Sequence, residues 1–240
     1  MKPTHIVAFC AALLPSAAFA CSDDGVLFFD AAPRTSILVL PDDQPLSDTA
    51  GITVTGAYTG TEQREGGGHL PVGFLLRDGE VINRNGARMD GVLLVEEGRA
   101  TITRRDEIGI DSAGGRSEMA ARAAEEGLSL LQSHLLIDEG ELDLRAVDGA
   151  PRFTRRVLFE TEEGLGLWQS AQPLTLHAAA VALQRACAPD MALNLDMGSY
   201  DYCVSDGRYC GLLRETERLS NLIRLERGER PEPDGDAENG

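Results

Sequence analysis

An amide, a carboxylate and a glycine-serine turn crowd the end of one apolar run, Met191-Ala192-Leu193-Asn194-Leu195-Asp196-Met197-Gly198-Ser199. A hydrophobic strand that ends in Asn-x-Asp and turns on a glycine sets both polar side chains at a strand terminus, where backbone N–H groups also converge. Such a place can hold an anion or polarise a sugar oxygen. Asp196 can serve there as acid, base or metal ligand, with Asn194 fixing its orientation and Gly198 and Ser199 forming the turn that approaches a ligand. An aspartate at a strand end can equally cap its own turn. Arg155 and Arg156 add planar guanidinium forks able to grip a phosphate or carboxylate oxygen. Strand alternation sends these two to opposite faces, so one is expected at a site and the other among surface carboxylates. Tyr58 can stack on a sugar ring. His134, on an otherwise apolar strand, reads either as a hydrogen-bonded core histidine or as a site group titrating near neutrality.

The elements that must position these groups are mostly strands. Short runs rich in β-branched or aromatic residues predict strands at 26–29, 36–40, 52–58, 72–76, 92–96 and 100–103, and again at 128–137, 153–159, 165–169 and 191–195, with Gly, Asp and Asn turns between them. Ser117 as N-cap and Gly127 as terminator bracket a short alanine-rich helix. A second helix starts at Thr175, with Leu176, Ala180, Leu183 and Cys187 on one face. The expected fold class is α+β: a single domain over 21–227 with an extensive mixed β-sheet core and two principal helices.

Composition narrows the function classes. The chain has 240 residues, with 22 Lys+Arg against 39 Asp+Glu and a formal charge of -17, a surface that repels nucleic-acid phosphates. Lys2 is the only lysine, which removes Schiff-base and Walker A chemistry once the leader is gone. Residues 1–20 read as a secretory signal peptide: the apolar run 6–14 is too short to cross a bilayer, and Ala18-Phe19-Ala20 is a cleavage pattern before Cys21. Lipidation of Cys21 would want a large aliphatic residue where Ala18 stands, so a cleaved periplasmic or secreted protein is expected, with no transmembrane segment. The segment 228–240 reads as a disordered acidic tail.

Cys21, Cys187, Cys203 and Cys210 remain in the mature chain, an even count that predicts two disulfides. Three pairings are open. Cys203 and Cys210 bracket a turn-like stretch, which favours 203–210 with 21–187.

Three segments, in order and spacing across 52–225, resemble the phosphodiester glycosidase (mannose 6-phosphate uncovering enzyme-like) family. Thr55-Gly56-Ala57-Tyr58 followed by Leu70-Pro71-Val72-Gly73-Phe74-Leu75-Leu76-Arg77-Asp78-Gly79 is similar to its Asn-Ala-Gly-x-Tyr/Phe turn and Pro-x-Gly hairpin. Leu131-Gln132-Ser133-His134-Leu135-Leu136 resembles its Gln-Ser-Gly-Pro-x-Leu strand, and Arg155-Arg156 sits where members place an arginine. Ala192 to Ser199 is similar to the signature Ala-Leu-Asn-Leu-Asp-Gly-Gly-x-Ser.

The resemblance implies hydrolysis of a glycosyl phosphodiester or a related envelope glycan linkage. Asp196 would be the acid/base or metal-holding group, Asn194 its orienter and Arg155 or Arg156 the phosphate clamp, with Tyr58, Gln132, His134, Gly198 and Ser199 contacting substrate. The implied partner is a glycan or sugar phosphate. No cofactor is implied, a divalent cation being the one addition the acidic loops allow. The chain departs from the pattern at Thr55, at His134-Leu135, at Met197 and in the missing residue between Gly198 and Ser199. Where a glycine allowed close approach or positive φ, Met197 is expected to block a sugar or reshape the pocket, and the alternative is a non-catalytic envelope module that binds glycan or protein.

Overall fold

A computed structural model of the protein describes residues 21, 24–45, 50–65 and 67–228. The expected leader, and the tail beyond Gly228, lie outside the described residues.

The described chain is mostly β, with two α-helices. A six-stranded sheet runs in the order Val26–Asp30, Gly164–Gln169, Arg156–Thr161, Met191–Leu195, Leu135–Asp138, Glu141–Leu142. A second sheet orders Glu80–Asn83, Leu75–Arg77, Ser129–Ser133, Gly91–Glu96, Arg99–Arg104, and a third orders Arg208–Tyr209, Cys203–Ser205, Gly51–Thr55, Asn221–Glu226, Arg34–Val39. Thr59–Gln63 and His69–Pro71 form a separate hairpin. The expected mixed sheet is corrected: every strand pairing among the described residues is antiparallel, and Tyr202 to Leu213 is an isolated parallel bridge. Six of these pairings are hairpins of successive strands joined by short turns, which can only be antiparallel; the others join strands distant in sequence.

One apolar cluster joins all three sheets, with Phe28 and Leu193 from the first, Leu93 and Leu131 from the second, and Val54 and Ile223 from the third. Alternation along the first sheet then sends Val157, Phe159 and Ala192 to its other face, where Ala180 and Leu183 of α2 (Leu176–Cys187) cover them. Thr175 caps α2 as its spacing predicts, its hydroxyl accepting from Ala178 N at 3.1 Å.

The other helix, α1 (Ala113–Glu126), begins earlier than predicted, at the N-cap Ser112, whose hydroxyl accepts from Gly115 N at 3.0 Å. Ser117 lies inside it and bonds Ala113 O instead. Gly114 and Gly115 lie in its first turn, where a Cβ on Gly115 would stand 1.7 Å from Gly109 O. Gly127 ends the helix in the left-handed region as predicted.

Both predicted cysteine pairings are present, Cys21–Cys187 and Cys203–Cys210. Cys21–Cys187 closes a separation of 166 residues and ties the first described residue to the end of α2. Chain entropy assigns such a loop about 5 kcal/mol. The Cys187→Ala variant is therefore expected to melt roughly 10 °C or more below the parent by circular dichroism under non-reducing conditions. A drop under 3 °C would contradict that role.

The predicted strand over 128–137 is two strands. Ser129–Ser133 belongs to the second sheet and Leu135–Asp138 to the first, and the chain changes sheets at His134. The predicted strand at 52–58 likewise stops at Thr55, and residues 56–58 turn towards the end of Met191–Leu195. Three sheets thus bring their ends to one place.

Candidate functional site

That place is built on a register. Val157 pairs with Asn194 and Arg156 with Leu195 across antiparallel strands. Continued one residue past the strand ends, the same register sets Arg155 across from Asp196 on one face, and alternation sends Arg156 to the other. Both outcomes are observed.

Asp196 is 5% exposed. Its backbone N donates to Gly56 O at 2.9 Å, Thr59 N donates to Oδ2 at 3.0 Å, and Met197 N donates to Oδ1 at 2.9 Å. Burial pushes its pKa up to about 6, against the pull of those two N–H donors. Asn194 does not orient it, contrary to expectation. The Asn194 amide, fully buried, donates to the Tyr58 hydroxyl at 2.6 Å and to Leu195 O at 2.9 Å, and its Oδ1 has no partner among the described residues. Backbone N–H groups, being fixed, hold the carboxylate instead.

Tyr58 is mostly buried, which pushes its pKa up to about 12, so it is a neutral hydroxyl at any ordinary pH. It accepts from Asn194, and its own proton has no acceptor among the described residues. His134 stands edge-on to this ring at 5.8 Å between centroids, outside the cleft lining. Burial lowers its pKa, which keeps it neutral near pH 7.

Arg155 Nε donates to Leu174 O at 2.9 Å and Nη2 to Pro151 O at 3.2 Å, while its guanidinium stands 5.2 Å from the centre of the Phe153 ring. No carboxylate pairs with it among the described residues. Arg156 differs in having a carboxylate partner. It is fully buried, and it donates to Asp201 Oδ1 at 2.8 Å, Gln169 Oε1 at 2.6 Å and Tyr202 O at 3.0 Å. The expectation that the second arginine meets surface carboxylates is corrected: it meets a buried one.

Tyr58, Arg155, Asp196, Gly198 and Ser199 line one cleft of about 260 Å³, joined by Phe153, Met197 and Tyr200. Gln132 is elsewhere: its amide accepts from Phe74 N and Ala87 N and donates to Ala87 O and Met89 O, which exhausts it. Met197 lines the cleft without backbone conflict, since its φ of -153° is extended and the left-handed turn falls on Gly198 at 79°. Phe153, half exposed at the cleft, escapes the sequence reading, which places it inside a strand over 153–159, whereas the strand begins at Arg156.

A wider depression of about 810 Å³ lies at the opposite ends of strands Arg156–Thr161 and Gly164–Gln169, lined by Arg34, Glu97, Arg99, Glu160 and Glu162. Its charges are mixed and mostly solvated, and Glu160 already accepts from Ile102 N. The smaller cleft carries the stronger chemistry because its carboxylate and guanidinium are desolvated together. Among the described residues no three His, Cys, Asp or Glu side chains come together to hold a metal ion, and no helix is long and apolar enough to cross a membrane.

No family model and no curated protein matches the sequence. Solved structures do. The catalytic domain of zebrafish N-acetylglucosamine-1-phosphodiester alpha-N-acetylglucosaminidase, auto-inhibited by its pro-peptide, is similar with a TM-score of 0.53 at 14% identity, over 81% of this chain and 73% of that one. A Burkholderia pseudomallei protein described as exported is similar with a TM-score of 0.54 at 13% identity, over 81% of this chain and 71% of that one. At such identities the likeness shows the fold.

Proposed function

We propose that the cleft hydrolyses a glycosyl phosphodiester between the anomeric carbon and the phosphate oxygen. The observation that carries this reading is a desolvated carboxylate, Asp196, and an unpaired guanidinium, Arg155, lining one cleft with a neutral phenol between them in charge. In such a reaction negative charge departs with the phosphate while positive character grows at the anomeric carbon. Arg155 takes the first and Asp196 faces the second. Asp196 accepts a proton from the attacking water, the new carbon–oxygen bond forms, and the electron pair of the broken bond leaves as a phosphate monoester held by Arg155. Tyr58 donates its free proton to an oxygen of the bound diester. A phosphate leaving group needs no protonation, so one cleft carboxylate suffices.

The shared fold with an enzyme named for an N-acetylglucosamine 1-phosphodiester supports the substrate class and suggests the probe. Two disulfides, and a fold neighbour described as exported, support a location outside the cytoplasm. The test is incubation of the purified chain with α-N-acetylglucosamine 1-(aryl phosphate), following free sugar and aryl phosphate together. Binding without release of either would make the protein a glycan-binding module.

The pH profile follows from the raised pKa of Asp196. As a base it acts only when ionised, and ionisation is complete above a pKa of about 6, not above the ordinary carboxylate value near 4. The rate is expected to fall about tenfold per pH unit below 6 and to level off above 7. An acidic limb centred near pH 4, or a rate that rises on acidification, would contradict the assignment.

A further inference from the structure

Arg155 also lines a second cavity. About 170 Å³ in volume, it is walled by Leu144, Val147, Ala150, Pro151 and Leu176, with Arg155 common to it and to the cleft that holds Asp196. Arg145 and His177 stand at it, and no carboxylate or amide side chain lines it. The Thr175 hydroxyl beside it is occupied as the α2 cap. Val147 is 68% exposed and Phe153, on the neighbouring wall, 50%. Large apolar side chains left open on either side of a binding cationic group want an apolar partner.

A phosphodiester has two arms. With phosphate on Arg155 and the sugar towards Asp196 and Tyr58, the apolar cavity is the neighbouring space for the second arm, since Arg155 lines both. A hydroxylated arm would find side-chain partners only in Arg145, Arg155 and His177, and hydroxyls set against Leu144, Val147, Ala150 and Leu176 would go unpaired, at a cost per buried hydroxyl. We infer that the substrate is a sugar 1-phosphate ester of an unbranched alkyl, lipid-like alcohol, the chain lying over Phe153 into the Val147–Leu176 cavity. This rests on the hydrolase reading and names the arm that reading leaves open.

The test compares α-N-acetylglucosamine 1-phosphate esters carrying a methyl, an octyl or a mannosyl arm, by turnover in the parent chain and by calorimetric binding to the Asp196→Asn variant. A buried methylene is worth roughly a fourfold factor, so the octyl ester is expected to exceed the methyl ester at least tenfold in kcat/KM and in affinity, and the mannosyl ester to gain nothing. Val147→Asp, at an exposed position, and Ala150→Phe, which fills the cavity, are each expected to bring the octyl-to-methyl ratio below threefold; unchanged melting curves show that both fold. Turnover with a flat ratio, a mannosyl preference, or an octyl preference that survives both variants overturns the inference and leaves hydrolysis standing. Octyl-selective binding without turnover supports the apolar arm and overturns hydrolysis. Neither binding nor turnover overturns both.

Discussion

Replacing Asp196 by asparagine is expected to lower kcat on an activated sugar-phosphate diester by about a thousandfold, the range that a positioned base supplies. The substitution keeps the shape of the side chain and removes one thing, the ability to take a proton. The parent carboxylate is poised for that task because burial has already brought its pKa up to about 6, so near pH 7 it is ionised yet still basic enough to accept a proton in the transition state. Affinity for the diester is expected to change little, since Arg155 and Tyr58 remain. The fold is also expected to hold. An amide has one acceptor oxygen, so one of the N–H donors Thr59 and Met197 loses its partner, a cost of roughly 1 to 2 kcal/mol that relief from burying a charge offsets. Initial rates at saturating substrate, with a melting curve beside them, decide the matter. Hydrolysis that survives within threefold would show that Asp196 is a turn-capping residue and nothing more.

Much of this arrangement is legible in the residues, and the illegible parts share a cause. Asp196, Gly198 and the disulfides can be read because each depends on neighbours in sequence: a strand end, a turn, a bracketing pair. The capping of α2 by Thr175 is local for the same reason. What sequence spacing cannot show is the pairing of distant strands. Only the register between Arg156–Thr161 and Met191–Leu195 decides that Arg155, and not Arg156, shares a face with Asp196. Alternation alone says that they part company. Likewise the amide of Asn194 looked like the orienter of Asp196, two residues on, until the turn at 56–58 brought the Tyr58 hydroxyl to it. Gln132 belongs to a motif-like stretch, yet its amide is consumed by the backbone of 74, 87 and 89, which no inspection of 131–136 reveals. The strand break at His134 is of this kind too, because no Gly or Pro interrupts 128–137 and only the change of sheet divides it. The hairpins follow from short connections, which the sequence does display, whereas the direction of the pairings between distant strands does not.

Removing the charge of Arg156 is expected to cost the fold 3 to 5 kcal/mol, the usual penalty for leaving one member of a buried ion pair behind. In the Arg156→Met variant the methylene stem is replaced, so packing is largely kept. The carboxylate of Asp201, with its side chain 10% exposed, loses the guanidinium on Oδ1 and retains only Leu212 N on Oδ2. Gln169 Oε1 and Tyr202 O lose donors in the same interior. The parallel change at Arg155 has a different account. Leu174 O still accepts from Phe153 N after Arg155→Met, and Pro151 lies on an exposed loop where water replaces the lost donor, so the stability cost is expected to stay near 1 kcal/mol. Its effect falls on the diester, whose phosphate loses its cation. Urea titrations of the two variants, read beside affinity for the methyl and octyl esters, separate the roles: a lowered midpoint with affinity kept in the folded fraction for Arg156→Met, and an unchanged midpoint with affinity lost for Arg155→Met. The reverse pattern would move the phosphate clamp to Arg156 and take the cleft at Asp196 with it, because the register that unites Arg155 and Asp196 is what excludes the neighbouring arginine from their face.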